Sequence, residues 1–347
     1  MAEALPTIDA KRILIYMPTW LGDCVMATPT LRALRGLYPQ AHLAALVKAP
    51  MKPLLDGLPW VDRLVTIRSP RAGCQTNRRR GACALAARLK SQRYDLAVLL
   101  PNSFRSALNV YLAGIPRRLG YERDWRGMFL TDQLKPLRRG LGFVPDPTLN
   151  YYMKIAEHLG VRDADRTMKL FTRKADDERA CALLERVGYR CGGGRLLVLL
   201  NPGANKIEKR WAPAKFAELG DRCAKTLNAV VAVTGAPRER ELVEAVIAQA
   251  KTPMVNLLQF GMNLRLLKSV IRQAGLVVTN DTGPRHIAAA MDVPVVTLFG
   301  PTPPEWTTIH FASEREIYAP SKDVNDIAVP TAFGAIEDLL GQAGAAA

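Results

Sequence analysis

The sequence predicts an α/β protein built from two doubly wound parallel sheets, and three observations carry that expectation. Short apolar runs recur along the whole 347-residue chain. Between them lie segments of helical length and composition; parallel strands need such crossovers, and a sheet covered on both faces reads as apolar runs rather than as alternation. The pattern breaks at a Pro- and Gly-rich stretch, residues 136–147, and then restarts. A chain of this length holds two cores of ordinary size.

In order, strands are expected at 12–17, 42–47, 63–67 and 95–100, with helical segments at 31–37 and 82–90. A helix at 151–159 precedes the restart. Strands then recur at 196–200, 230–234, 254–257, 276–279 and 294–299, separated by helices at 214–226, 238–250 and 264–273, with a final helix at 331–340. The halves join within 160–176, giving domains 1–165 and 176–330 with a C-terminal helix and tail, 331–347, and a cleft between the domains. Ligands of open parallel sheets bind beyond the carboxyl ends of the strands, so the loops there are the candidate sites.

Composition narrows the classes. No run approaches the roughly 18 apolar residues of a membrane span, and the N-terminus, with Glu3 and Asp9, lacks a signal-peptide core, so a soluble protein that stays inside the cell is expected. Six cysteines show no Cys-x-x-Cys pairing and four histidines stand apart, so neither zinc nor a disulfide framework is expected and reduced thiols are the default. Residues 1–175 carry 29 Lys and Arg against 13 Asp and Glu, whereas residues 176–347 carry 19 of each; the whole +16 excess therefore lies in the first half, densest at Arg78-Arg79-Arg80, Arg117-Arg118 and Arg138-Arg139. Such a field suits a polyanionic partner, or serves solubility alone. No nucleic-acid-binding signature accompanies it, and no nucleic-acid partner is expected.

Four post-strand loops carry chemistry. Pro18-Thr19-Trp20-Leu21-Gly22-Asp23 follows the first strand and leads into a helix that either kinks at Pro29 or starts there with Thr28 as its cap. Asp23 reads either as a helix-end carboxylate that merely stabilises or as a general base beside a glycine. Asn201 to Trp211 follows the first strand of the second half. Lys209 and Arg210 suit phosphates there, while Trp211 is expected to pack under the next helix. In Thr234-Gly235-Ala236-Pro237-Arg238-Glu239, the Glu239 carboxylate suits ribose hydroxyls or the helix dipole equally. Asn280-Asp281-Thr282-Gly283-Pro284-Arg285-His286 joins a strand to an Ala-rich run: first-turn amides and the dipole suit a diphosphate, with Thr282 and His286 as added donors, or form a cap with no ligand.

Taken together, Pro18 to Asp23 with Val25, Pro202-Gly203-Ala204 through Lys209-Arg210-Trp211, and Asn280 to Gly283 with His286 and Gly300-Pro301-Thr302 resemble the ADP-heptose:lipopolysaccharide heptosyltransferases. Pro101-Asn102-Ser103-Phe104-Arg105-Ser106-Ala107-Leu108 and Ala113-Gly114-Ile115-Pro116 are similar to the heptosyltransferase II branch, which adds the second heptose of the inner core. The resemblance runs from about Ile13 to Pro304; no one motif is specific, but five in this order are.

The resemblance implies a GT-B architecture of two facing Rossmann-like domains, acceptor on the first and nucleotide sugar on the second. It implies inverting transfer of L-glycero-D-manno-heptose from ADP-heptose to heptosyl-Kdo2-lipid A, with no cofactor and no metal. Carried over by position, Asp23 is the base, and Lys209, Arg210, Glu239, Met262 (near the adenine), Asp281, Thr282, Gly283 and His286 bind the nucleotide sugar. Trp20, Gly22, Asn102, Ser103 and Arg105 fall on the acceptor side. A phosphorylated, Kdo-bearing lipid acceptor places the enzyme in the cytoplasm, peripheral at the cytoplasmic face of the inner membrane, where the arginine-rich first half meets an anionic surface. Asp163-Ala164-Asp165, the only Asp-x-Asp, falls in the expected linker and not after a strand. Pro284-Arg285 departs from the family, whose members usually carry apolar and small residues there, and is expected to present an extra cation to the ligand. Two other readings stay open: a same-fold transferase using another nucleotide sugar, and a non-catalytic polyanion-binding protein.

Overall fold

The apolar runs form two six-stranded sheets, both wholly parallel. In this computed structural model, which describes residues 8–67, 77–140 and 142–345, the chain divides into two units. One runs to Met168 and takes in Glu305–Ile309; the other comprises Lys169–Pro304 and the chain from His310 onward.

The first sheet contains β1 (Arg12–Tyr16), β2 (His42–Lys48), β3 (Arg63–Ile67), β4 (Leu96–Leu99), β5 (Arg117–Tyr121) and β6 (Asp132–Leu134), in the order β3-β2-β1-β4-β5-β6. Its helices are α1 (Leu21–Met26), α2 (Thr28–Leu37), α3 (Lys52–Leu55), α4 (Asn77–Lys90), α5 (Phe104–Leu112) and α6 (Thr148–His158), and a hairpin of β7 (Arg138–Arg139) and β8 (Gly142–Phe143) lies before α6. The second unit opens with α7 (Lys174–Arg186) and builds its sheet from β9 (Leu197–Asn201), β10 (Val230–Val233), β11 (Val255–Asn256), β12 (Leu276–Asn280), β13 (Val295–Phe299) and β14 (Glu314–Tyr318), in the order β11-β10-β9-β12-β13-β14. Helices α8 (Pro213–Thr226), α9 (Arg240–Gln249), α10 (Leu264–Gln273), α11 (Gly283–Ala290) and α12 (Val329–Ala345) complete it, α12 packing on α8, β13 and β14.

Each sheet has the doubly wound order in which the chain leaves a central pair of strands in opposite directions, and a crevice opens beyond that pair's carboxyl ends. The pairs are β1 with β4, and β9 with β12. Every residue of β9, β12 and β13 is buried, which explains their unbroken apolar character.

Several expectations need correction. Thr28 is not a cap: Ala27 precedes α2, and the Thr28 hydroxyl donates to the Val25 carbonyl at 2.7 Å, so α1 and α2 meet at a break with Pro29 just inside the second helix. Cys181 and Cys191, ten residues apart and with Cα atoms 5.8 Å apart, form a disulfide, so the reduced-thiol default fails for this pair. Cys24, Cys83 and Cys223 are free, and Cys74 lies outside the described residues, as do Glu3 and the side chains of Arg78-Arg79-Arg80. Strands β5, β6 and β14 were not anticipated, because paired arginines with a glycine, a three-residue length and a charged edge each hide the apolar signal.

Candidate functional site

In the second unit the site grows from the two loops that leave β9 and β12. Asn201 and Asn280, the last residues of those strands, are buried. Asn201 donates to the Thr279 hydroxyl at 3.1 Å; Asn280 donates to the Pro202 carbonyl at 2.8 Å and accepts from the Trp211 N–H at 3.1 Å. Buried amides remain only where they are bonded, so these contacts fix the loops to each other. Trp211 is fully buried as expected, edge-on to Phe216 of α8, and its indole N–H donates to the Ile327 carbonyl at 3.0 Å.

This frame brings Lys209, Asp281, Thr282, Gly283 and His286 together. Lys209 Nζ lies 2.9 Å from Oδ2 of the buried Asp281. Thr282 precedes α11 without capping it by its side chain, so the first-turn amides keep their outward donor character. His286 is buried and its Nδ1 has no partner among the described residues; burial, reinforced by the charge of Arg285, lowers its pKa to about 3 and keeps the ring neutral.

Arg210 turns inward, with Nε and Nη2 at 3.0 and 2.8 Å from the Ala204 carbonyl, holding the loop in shape. The Glu239 carboxylate is buried, accepts from the Ala236 N–H at 2.8 Å and lies against Gly203, where a side chain would have to displace it. Met262 is buried in the connection between β11 and α10, two strands away from β9. Arg285 overturns its expectation: it is wholly buried and bonded to Glu314 and Glu316 on β14, so it presents no cation to a ligand.

In the first unit, the candidates gather at the β1 and β4 ends. Trp20, 63% exposed, is the residue preceding α1 and offers no side-chain cap. Gly22 and Asp23 sit in the first turn. The Asp23 carboxyl has no hydrogen bond or ion pair among the described residues, and burial raises its pKa to about 6. Ser103 caps α5 by accepting from the Ser106 N–H at 3.2 Å, and Arg105 is exposed on the same turn. Asn102 Oδ1 accepts from Arg126 and from the Tyr151 hydroxyl, both at 3.2 Å. Arg126 is fully buried, which lowers its pKa to about 10, and no sequence signal distinguished it from the exposed arginines.

Beyond the ends of β5 and β6 the first unit contains a cavity of about 480 Å³. Its lining includes Arg123, Lys135, Lys154 and Arg162 against Asp146 and Glu157. Tyr121 and Tyr151 stack in its wall at 3.8 Å between centroids, and Arg123 lies 4.0 Å from the centre of the Phe143 ring. Tyr151 thus connects this wall to Asn102.

Asp165 of the Asp-x-Asp sequence is tied to Arg32 at 2.7 Å and to the Thr167 N–H at 2.7 Å. Among the described residues no helix is long and apolar enough to cross a membrane.

Comparison with known proteins adds to this geometry. The model of glycosyltransferase family 9 (heptosyltransferase) matches residues 82–325, a span that begins after Asp23. Lipopolysaccharide heptosyltransferase 2 of Salmonella typhimurium is 29% identical over 308 residues, covering 85% of this chain and 84% of that protein; its Escherichia coli K12 counterpart gives the same figures. Among solved structures, a family 9 glycosyl transferase from Veillonella parvula matches the fold with a TM-score of 0.87 at 21% identity, covering 98% of this chain and all of that one. E. coli ADP-heptose lps heptosyltransferase II matches with a TM-score of 0.77 at 26% identity, covering 96% and 99%.

Proposed function

The chain belongs to glycosyltransferase family 9, the heptosyltransferases, and from that premise we propose that it moves L-glycero-D-manno-heptose from ADP-heptose onto the first heptose of the lipopolysaccharide inner core. The observation that carries this reading is the Lys209–Asp281 pair at the start of α11: a cation and uncapped amides at a strand-end crevice suit a diphosphate leaving group.

The reaction we propose is a single displacement with inversion. Asp23 takes the proton of an acceptor hydroxyl as that oxygen attacks the anomeric carbon, and the bond to ADP breaks. A carboxyl raised to about 6 remains mostly ionised at neutral pH while being a stronger base than a solvated aspartate. Lys209 and the amides of Thr282 and Gly283 meet the negative charge growing on ADP, the contribution that is usually largest in such sites, and no metal enters the scheme. Glu239 and Met262 belong to the nucleoside end, with one Glu239 oxygen committed to the Ala236 N–H. Arg210 supports the loop, and His286, buried and neutral in the first turn of α11, completes the phosphate side.

Trp20, Gly22, Asn102, Ser103 and Arg105 would meet the acceptor near Asp23, and the cationic, aromatic cavity would take its anionic sugars. Stacked rings suit sugar faces, and arginines suit carboxylates and phosphates. Peripheral contact with the inner membrane is supported by Trp125 and Met128, 90% and 74% exposed, on the half that holds the whole charge excess.

Incubation of the protein with ADP-heptose and heptosyl-Kdo2-lipid A, followed by mass spectrometry of the lipid, tests the reading. The expected product has gained one heptose. Transfer only from another nucleotide sugar, or no transfer with ADP bound normally, would reject it.

A further inference from the structure

Arg285 belongs to the first two turns of α11, yet its guanidinium points away from solvent and is held on several sides. Nε and Nη2 engage the two oxygens of Glu314 at 2.6 and 3.0 Å, Nη2 also bonds Glu316, and Nη1 lies 3.7 Å from Oδ1 of Asp281. The Thr297 hydroxyl donates to Glu314 at 2.6 Å, and the Phe299 ring lies 4.9 Å from the guanidinium carbon. A planar fork seated on one carboxylate has little freedom left.

The two oxygens of Asp281 therefore have different neighbours: Oδ1 faces Arg285, and Oδ2 binds Lys209. Turning the carboxylate would exchange these contacts, so the buried cation fixes the anion, and the anion fixes the ammonium. Lysine on its own is a mobile point charge on a flexible stem. Removing Arg285 would also take from the buried Glu314 side chain the guanidinium that both of its oxygens engage, and leave Lys209 as the ion-pair partner of Asp281 among the described residues.

We infer that Arg285 is a positioning residue for the nucleotide sugar: through Asp281 it holds Lys209 where a nucleoside diphosphate binds. The inference rests on the donor reading of Lys209 given above and extends it to a residue that touches no substrate. The neighbouring role, neutralising the acidic edge strand β14, makes a different prediction, because it does not pass through Lys209.

Calorimetric titration with ADP separates the two, using the full chain as wild type, Lys209→Ala, Arg285→Met and the double variant. Lys209→Ala is expected to weaken ADP about tenfold or more, and Arg285→Met about three- to tenfold, while Arg285→Met adds nothing in the Lys209→Ala background. Should Arg285→Met fail to fold, the same change combined with Glu314→Gln and Glu316→Gln removes charge from both sides and is titrated instead. Arg285→Lys, which keeps the charge but not the fork, is expected to fall between. A folded Arg285 variant that binds ADP like wild type, or losses that multiply independently, overturns the inference while the donor reading stands. If Lys209→Ala itself leaves ADP affinity unchanged, the donor reading fails and takes this inference with it.

Discussion

The side chain of Asn280 accepts a hydrogen bond from the backbone N–H of Trp211 at 3.1 Å, so the last residue of β12 holds the loop that leaves β9. The other end of the same amide donates to the Pro202 carbonyl. Asn280→Ala would leave both backbone groups buried and unpaired, at about 1–3 kcal/mol each. A clear fall in Tm is expected, together with a raised KM for the nucleotide sugar, since Lys209 lies in the loop so released. Asn280→Asp keeps the acceptor but sets a buried carboxylate oxygen against the Pro202 carbonyl, and thermal melts should place it no higher than Asn280→Ala. An unchanged Tm for Asn280→Ala would mean that the loop keeps its shape without this amide.

Asp23→Asn separates the base from a helix-end carboxylate. A stabilising carboxylate would be missed on replacement, whereas a half-buried, unpartnered one is a cost to the fold. The shift from 3.8 to about 6 corresponds to at most about 3 kcal/mol, and Asp23→Asn is expected to recover part of it above pH 7. Turnover should fall about 10²- to 10⁴-fold with ADP binding retained. Higher Tm with lost activity is the expected pair of results; lower Tm with full activity would assign Asp23 to the helix end instead.

The pH dependence follows with a definite sign. The folded-state pKa of Asp23 lies above the unfolded value, so the folded protein holds this proton more tightly, and the Asp23 contribution to stability falls as pH rises from about 4 through about 6. Activity moves the other way, rising through an acid limb near pH 6 as the base ionises. The neighbours Cys24 and Tyr152 have thiol and phenol pKa values pushed up by burial, so neither loses its proton in this window. Wild-type kcat/KM between pH 5 and 8 should show one such limb, and it should be missing from the residual activity of Asp23→Asn.

Much of the fold and of the candidate site was legible because the proposed chemistry sits where strand patterns end. The apolar runs located β1, β4, β9 and β12, and in a doubly wound sheet those ends are the crevice. Trp211 was also readable, since a tryptophan before a proline-led helix has a core to enter. What escaped was information carried by side-chain direction. Arg285 and Arg126 look like their exposed neighbours in sequence, and only the carboxylates of β14 and the carbonyls around Arg126 show that they are buried. β14 was invisible for the same reason: Glu314 and Glu316 read as surface residues until Arg285 is placed against them. The Cys181–Cys191 link escaped because a ten-residue spacing carries no motif.

The cavity beyond β5 and β6 makes the proposed acceptor side testable apart from the proposed donor side. Of its cations, Lys154 is already matched by Asp146 at 2.7 Å, whereas the carboxylate paired with Arg123, that of Asp124, lies farther off at 3.6 Å, and Arg123 borders the Tyr151 hydroxyl and lies over Phe143. A charge seated on an aromatic face beside stacked tyrosines is placed to meet an anionic sugar without first leaving a strong partner. Arg123→Ala is therefore expected to raise the acceptor KM about tenfold, with Lys154→Ala changing it less, and to leave the ADP-heptose KM and ADP affinity as they are. Raising the salt concentration should weaken acceptor use by the wild type more than by Arg123→Ala, because part of the screened attraction has already been removed. Steady-state kinetics with each substrate varied in turn measures both effects. Equal changes in the two KM values would show that Arg123 supports the first unit's fold, and no change in either would place the acceptor's charged sugars elsewhere.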